Sequence, residues 1–273
     1  MAFRTHLGRS LDFSHRSNVA LVALVGLASG VALVLWLNGS PPEVFWAPVD
    51  LYVMWVLSRE VDPDHPWTAL VAGAGAGAWS LAFQPRPSAL AIGGLAIAAR
   101  ITTSTTGRRP LPTDLAVVAV FGIAISFTIE GFIAGFAIAV AIYLDDRLHG
   151  ESRGIQIAAA AITAVGAAVV ATAARAFPQT LPELVPYLAT ATGVAALLLV
   201  LRDPAAPISQ VDARHAAFIR QDRLHASRAL IGIAVFATTL LVGQGAIALT
   251  PTLGALLLVL SSNEVERIRR PNL

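Results

Sequence analysis

Eight apolar runs, at residues 18–37, 44–57, 67–83, 88–99, 115–143, 155–174, 184–201 and 229–260, fill most of the chain. Only short polar stretches separate them. A helix crosses a bilayer in about 20 apolar residues, because its backbone groups are satisfied within the segment where no water is present. Two of the runs are too long for that. At 1.5 Å per residue, residues 115–143 reach about 43 Å, against a hydrocarbon core of roughly 30 Å. Residues 229–260 pose the same mismatch. Splitting the first near Thr128 to Gly131 and the second near Gly243 to Gly245, where glycine allows a turn, predicts ten short crossings. Leaving both as kinked single helices gives eight.

The solvent follows from the charge content. Charged residues make up 13% of the chain and mean hydropathy is +0.69, whereas soluble domains carry about 25% charge. So few charges cannot cover a water-facing surface of this size, and the apolar surplus must face lipid. The predicted fold class is therefore all-α, a polytopic helical bundle over residues 18–262. Basic tails precede it at 1–17 and follow it at 263–273. Arg4, Arg9 and Arg16 ahead of the first run resemble the start of a signal peptide, but no small-residue cleavage site follows, so a retained helix is expected.

Orientation comes from arginine. All 19 basic residues are Arg, and 17 of them fall on one side of the ten-crossing arrangement, with only Arg86 and Arg175 on the other. Basic residues gather on the cytoplasmic side, so both termini are expected there, in a plasma or inner membrane. The longest inside stretch, 202–228, predicts an interfacial amphipathic helix over 209–226, with Val211, Phe218 and Leu224 towards one side. Its arginines would reach anionic headgroups, and it is also the place where a protein partner would dock.

Absences narrow the chemistry. Without Lys there is no Schiff base and no Walker-type phosphate grip; without Cys there is no thiolate nucleophile, Fe–S cluster or Cys-ligated zinc. The pI near 9.6 reflects an all-arginine base set with a net charge of +2, and nucleic acid is not an expected partner. The six histidines, at 6, 15, 65, 149, 215 and 225, lie in polar stretches, which disfavours bis-histidine haem and a rhomboid-like protease. Two glycine pairs, Gly73 with Gly77 and Gly131 with Gly135, have the spacing that lets helix backbones approach closely. No internal repeat is evident.

Asp50 is the sharpest single residue, because a carboxylate inside an apolar run is costly and marks a proton or cation site by default. Glu130 is the second such carboxylate, expected in the outer turn. The inner polar stretches supply other candidates. Arg59, Arg100, Arg108 and Arg109 have the fork geometry for phosphate oxygens, and Asp62, Asp64 and His65 have the donors for a divalent metal, the one cofactor this set would suit. The same residues also fit ordinary helix-start chemistry and the inside excess of arginine. Asp145-Asp146 lacks the third Asp of polyprenyl diphosphate enzymes, and no D-x-x-D-G-x-x-A-R run of CDP-alcohol phosphotransferases occurs. The leading expectation is transport of a small solute or lipid. The alternatives are an enzyme acting on a phosphorylated lipid at the inner interface, and a structural or assembly subunit of a membrane complex.

Overall fold

The computed structural model describes residue 7, residues 13–83, 89–150, 153–177, 186–201 and 219–242, and positions 254 and 257. Among the described residues there is no strand. Nine α-helices follow one another among the same described residues: α1 (Arg16–Leu37), α2 (Trp46–Val61), α3 (Pro66–Phe83), α4 (Ala89–Thr103), α5 (Pro112–Ala124), α6 (Ile129–Leu148), α7 (Gly154–Ala173), α8 (Pro186–Leu201) and α9 (Gln221–Val242). Three of them, α1, α7 and α9, are long and apolar enough to cross a membrane.

The long apolar run 115–143 is divided as its length demands. A 3₁₀ turn at Ile125–Phe127 ends α5, and Thr128, with extended φ and ψ of −117° and 161°, starts α6. The Thr128 hydroxyl caps the new helix by accepting from the Gly131 amide at 3.1 Å. Gly131 and Gly135 make the reversal sterically feasible. A β-carbon at Gly131 would overlap the Ile125 carbonyl oxygen, and one at Gly135 would overlap that of Gly122. Residues at nearly equal distances either side of Thr128 thus meet, the signature of an antiparallel hairpin. The second expected split, at Gly243 to Gly245, lies outside the described residues, as does the tail 263–273.

The other glycine pair joins α2 to α3. A β-carbon at Gly73 would sit 2.8 Å from the Leu51 carbonyl oxygen, and one at Gly77 would sit 3.2 Å from that of Ala47. Both glycines of each pair therefore serve close packing inside the chain. Pro66 begins α3 at a position where its missing N–H costs nothing. Likewise Pro112 begins α5, and Asp114 accepts from the Leu111 amide at 3.0 Å.

Helix α4 is central. Ile92, Leu95, Ala98, Ala99 and Ile101 join Met54 and Leu57 of α2, Ile138 and Ile142 of α6, and Ile231 of α9 in one core. A smaller cluster packs Leu21 and Ala28 of α1 against Leu51, Trp55, Ala69 and Leu70. The outer surface is apolar rather than charged. On α7 the buried stripe is Gln156, Ala160, Thr163, Ala167 and Ala171, whereas Ile162, Val165 and Val169 point outward, each more than 60% exposed. Small residues inside and large apolar residues outside invert the pattern of a water-soluble helix, as expected where packing rather than hydrophobic burial joins helices.

Residues 221–228 differ from the sequence expectation. They form the first two turns of α9, not an interfacial helix, and Leu224 is buried within the bundle. Arg223 and Arg228 are only 3% and 4% exposed, so neither reaches a headgroup. Their carboxylate partners, identified below, hold them inside. Arg220 at the start of this segment remains exposed; residues 202–218, including Val211 and Phe218, lie outside the described set.

Candidate functional site

Polar side chains are buried at two places along α2. Near its start, Asp50 is 3% exposed, and the Ser80 hydroxyl of α3 donates to its Oδ2. Its Oδ1 is buried and has no hydrogen-bond partner among the described residues. No ion pair reaches Asp50 among those residues either. Helix α2 runs unbroken through this position, and Glu60 lies about 15 Å further along it at the standard helical rise. Asp50 is thus in the first turns of α2, closer to one end than the middle of the apolar run suggested.

The other place gathers the end of α2, the ends of α4 and α6, and the starts of α3, α7 and α9. Three carboxylates there each meet an arginine within 3.6 Å. Glu60 Oε1 accepts from Arg100 Nε at 2.7 Å, and its Oε2 accepts from the Thr105 hydroxyl at 2.8 Å. Arg100 also donates to the Leu7 carbonyl at 3.1 Å, tying the N-terminal segment to this end. Asp62 Oδ1 lies 2.9 Å from His65 Nδ1 and 3.6 Å from an Arg228 nitrogen; Arg228 Nε donates to the Val61 carbonyl at 2.7 Å.

Asp145 is the most enclosed of the three. Its Oδ1 accepts from Arg223 Nη1 at 2.8 Å and its Oδ2 from Gln156 Nε2 at 2.8 Å. Arg223 also donates to the Thr102 carbonyl at 3.2 Å, so one guanidinium joins α4, α6 and α9. His149 Nδ1 sits 2.6 Å from Arg223 Nη2 and 3.1 Å from Asp145 Oδ1. A guanidinium has no acceptor, so a neutral Nδ1 accepts from Arg223, whereas a protonated Nδ1 donates to Asp145. Asp145 follows the apolar run that ends at Tyr143. Burial, the largest influence, raises its affinity for a proton, but hydrogen bonds and positive charge from His149 and Arg223 outweigh it and hold the carboxyl below the ordinary range.

The remaining sequence candidates are scattered around this network. Arg59 donates to the Pro63 carbonyl at 2.7 Å, finishing the turn after α2. Arg109 lies 3.9 Å from Asp146, and Arg108 is exposed in the preceding turn. The four arginines expected to share a phosphate are therefore engaged separately or face solvent. Asp64 is half-buried beside His65, but among the described residues no three His, Asp or Glu side chains converge as a metal site requires. Asp62 and His65 engage each other and Arg228 instead. Glu130, half-buried in the first turn of α6, benefits from the helix dipole and joins neither group.

The residues that sequence reasoning left out of its candidate set are Ser80, Glu60, Asp145, Arg223 and Arg228. One signal pointed to the last three. Asp-Arg-Leu-His occurs at 146–149 and again at 222–225, each copy followed within four residues by Ser-Arg. The two copies meet, His149 against Arg223, although one ends a helix and the other begins one. Comparison with known proteins finds no matching family model, no similar curated protein and no similar solved structure.

Proposed function

We propose that this chain is a multi-pass protein of a plasma or inner membrane, with ten crossings and cytoplasmic termini, that moves a small solute through its bundle. The observation that carries this reading is Asp50. A carboxylate oxygen buried without a partner among the described residues, in an otherwise apolar part of the bundle, is costly, and such groups in membrane proteins mark ion or substrate paths.

Arginine bias assigns the paired charges to the cytoplasmic end and Asp50 to the opposite half. In that orientation, the ion pairs between α2 and α4, α2 and α9, and α6 and α9 act as a closed inner gate. Asp50 is the carboxylate that loads from outside. Rocking of one group of helices against another around such a site is the usual basis of alternating access.

The test is uptake by proteoliposomes carrying the purified protein, presented with a panel of amino acids, sugars and organic ions. Wild-type protein is expected to accumulate at least one of these classes, and Asp50→Asn to lose that uptake while keeping the wild-type elution profile. Equal uptake by the variant removes Asp50 from the mechanism. Failure of the wild type across the panel counts against transport itself.

A further inference from the structure

The transport reading leaves open what Asp50 exchanges with the solvent. Resting on that reading, we infer that the species taken up and released at Asp50 is a proton rather than a metal cation.

The argument is one of ligand number and of charge. Divalent cations take six or more oxygens, and an alkali ion leaves water only where protein oxygens replace its hydration shell. Among the described residues two side chains supply three oxygens here, the two of Asp50 and the hydroxyl of Ser80. No local unwinding of α2 frees backbone carbonyls to complete a shell, since the helix is continuous from Trp46 to Val61.

Among the described residues the surroundings offer no compensating charge. Helix α3 has no titratable Asp, Glu, His, Lys or Arg, and α1 carries only Arg16, its first residue. On α4 the one charged group is Arg100 in the last turn, bonded to Glu60. On α9, Asp222, Arg223, His225 and Arg228 occupy the first two turns, with Arg223 and Arg228 committed to Asp145 and Asp62. Glu43, in the 3₁₀ turn Pro42–Phe45 before α2, is exposed, and Tyr52 on α2 is 43% exposed. A buried carboxylate with no counter-ion among the described residues is relieved most simply by a proton, which needs no coordination shell and turns a buried anion into a neutral group.

Dicyclohexylcarbodiimide distinguishes the two species in the full-length protein in lipid nanodiscs. The reagent adds a protonated carboxyl across one of its C=N bonds. Rearrangement leaves a stable N-acylurea with no other reactant consumed, read by peptide mass spectrometry. Asp50 is expected to be labelled, and labelling is expected to fall about tenfold per pH unit on the alkaline side. The pattern should be the same in sodium, lithium, potassium, magnesium or choline chloride. Asp50→Asn serves only to assign the modified peptide.

Protection by sodium, lithium or magnesium over choline would make this a cation site and overturn the inference. So would absence of label at every pH, which would mean a carboxylate that stays ionised. Because labelling needs no flux, its outcome stands apart from the uptake assay. Label without uptake would strike the transport reading alone, and uptake with cation protection would strike the proton alone.

Discussion

Replacing Arg223 by methionine tests whether the buried ion pairs hold one end of the bundle together. The side chains of Arg223 and Asp145 are 4% and 0% exposed, with 2.8 Å between nitrogen and oxygen. Methionine leaves a buried carboxylate whose remaining partners are Gln156 and the half-buried His149, neither of them a permanent charge. Breaking a buried pair from one side costs about 3–5 kcal/mol, because the surviving charge stays out of water. In a chain near this length each kcal/mol moves the unfolding midpoint by about 2–4 °C, so the expected fall is about 6–20 °C. The five tryptophans make intrinsic fluorescence on heating a suitable assay in detergent. An internal control is available in the same segment. Arg220 and Asp222 form a pair with side chains 58% and 46% exposed, and an exposed pair contributes about 0–1 kcal/mol, so Arg220→Met should move the midpoint by at most about 4 °C. Removing both buried charges, as Arg223→Met with Asp145→Leu, should recover most of the loss, since apolar replacement of a whole buried pair is often neutral. The remaining deficit belongs to His149 and Gln156, which lose a partner. The reasoning fails if Arg223→Met is no worse than Arg220→Met, or if the double variant is no better than the single.

The same melting assay reads two further expectations. Gly135→Ala forces a β-carbon into the Gly122 backbone and should cost about 3 kcal/mol, the upper range for overpacking, whereas Gly26→Ala and Gly30→Ala on α1 meet nothing within 4 Å and should be neutral or slightly stabilising. Because the folded Asp145 carboxyl is held below its ordinary value, it contributes stability that is complete above the ordinary carboxylate range and lost as pH falls through the lower folded value. The midpoint difference between wild type and Asp145→Asn should therefore be constant at neutral pH and narrow below about pH 4; a difference that widens in acid would contradict it. Sidedness is accessible because the chain has no Cys: a cysteine at Asn38 or Phe127, both exposed, should react with an impermeant maleimide in intact cells, and one at Arg108 only after permeabilisation. Reaction at Phe127 only after permeabilisation would remove the crossing between α5 and α6.

The elements of the bundle were legible because each is fixed by local physics. Residues 115–143 had to break on length alone, and glycine marked where; the structure places the turn at 125–128, at the near edge of the expected Thr128 to Gly131. Asp64, whose place also fitted ordinary helix-start chemistry, lies two residues before Pro66, the first residue of α3. The beginning of α9 was misread for a physical reason. Residues 221–228 contain Asp222, Arg223, His225 and Arg228, a density of charge that reads as a solvated surface. It becomes part of a helix inside the bundle only because other helices bring carboxylates to meet it.

That dependence separates the two polar regions. Glu60 and Arg100 are 40 residues apart, Asp145 and Arg223 are 78 apart, and Arg228 bonds a carbonyl 167 residues away. No spacing rule links such positions, so the arginines looked like a sidedness signal when three of them are also structural counter-ions. For those three carboxylates, burial is answered by a partner of opposite charge, and their presence inside the bundle needs no further purpose. Asp50 stood out in the sequence for the opposite reason, as a lone charge in an apolar run, and among the described residues the fold gives it a serine hydroxyl but no arginine. With buried pairing used repeatedly at the other end, a carboxylate that meets no arginine among the described residues is better explained by exchange than by structure. A fixed counter-ion would hold it permanently ionised and prevent it from taking up and releasing its own cation. The contrast yields a sharp expectation. Asn at Glu60 or Asp145 should lower stability first and any transport only in proportion, whereas Asn at Asp50 relieves a buried charge and should leave the unfolding midpoint unchanged or raised while abolishing uptake. A fall in midpoint at Asp50→Asn as large as that at Asp145→Asn would place Asp50 among the structural carboxylates.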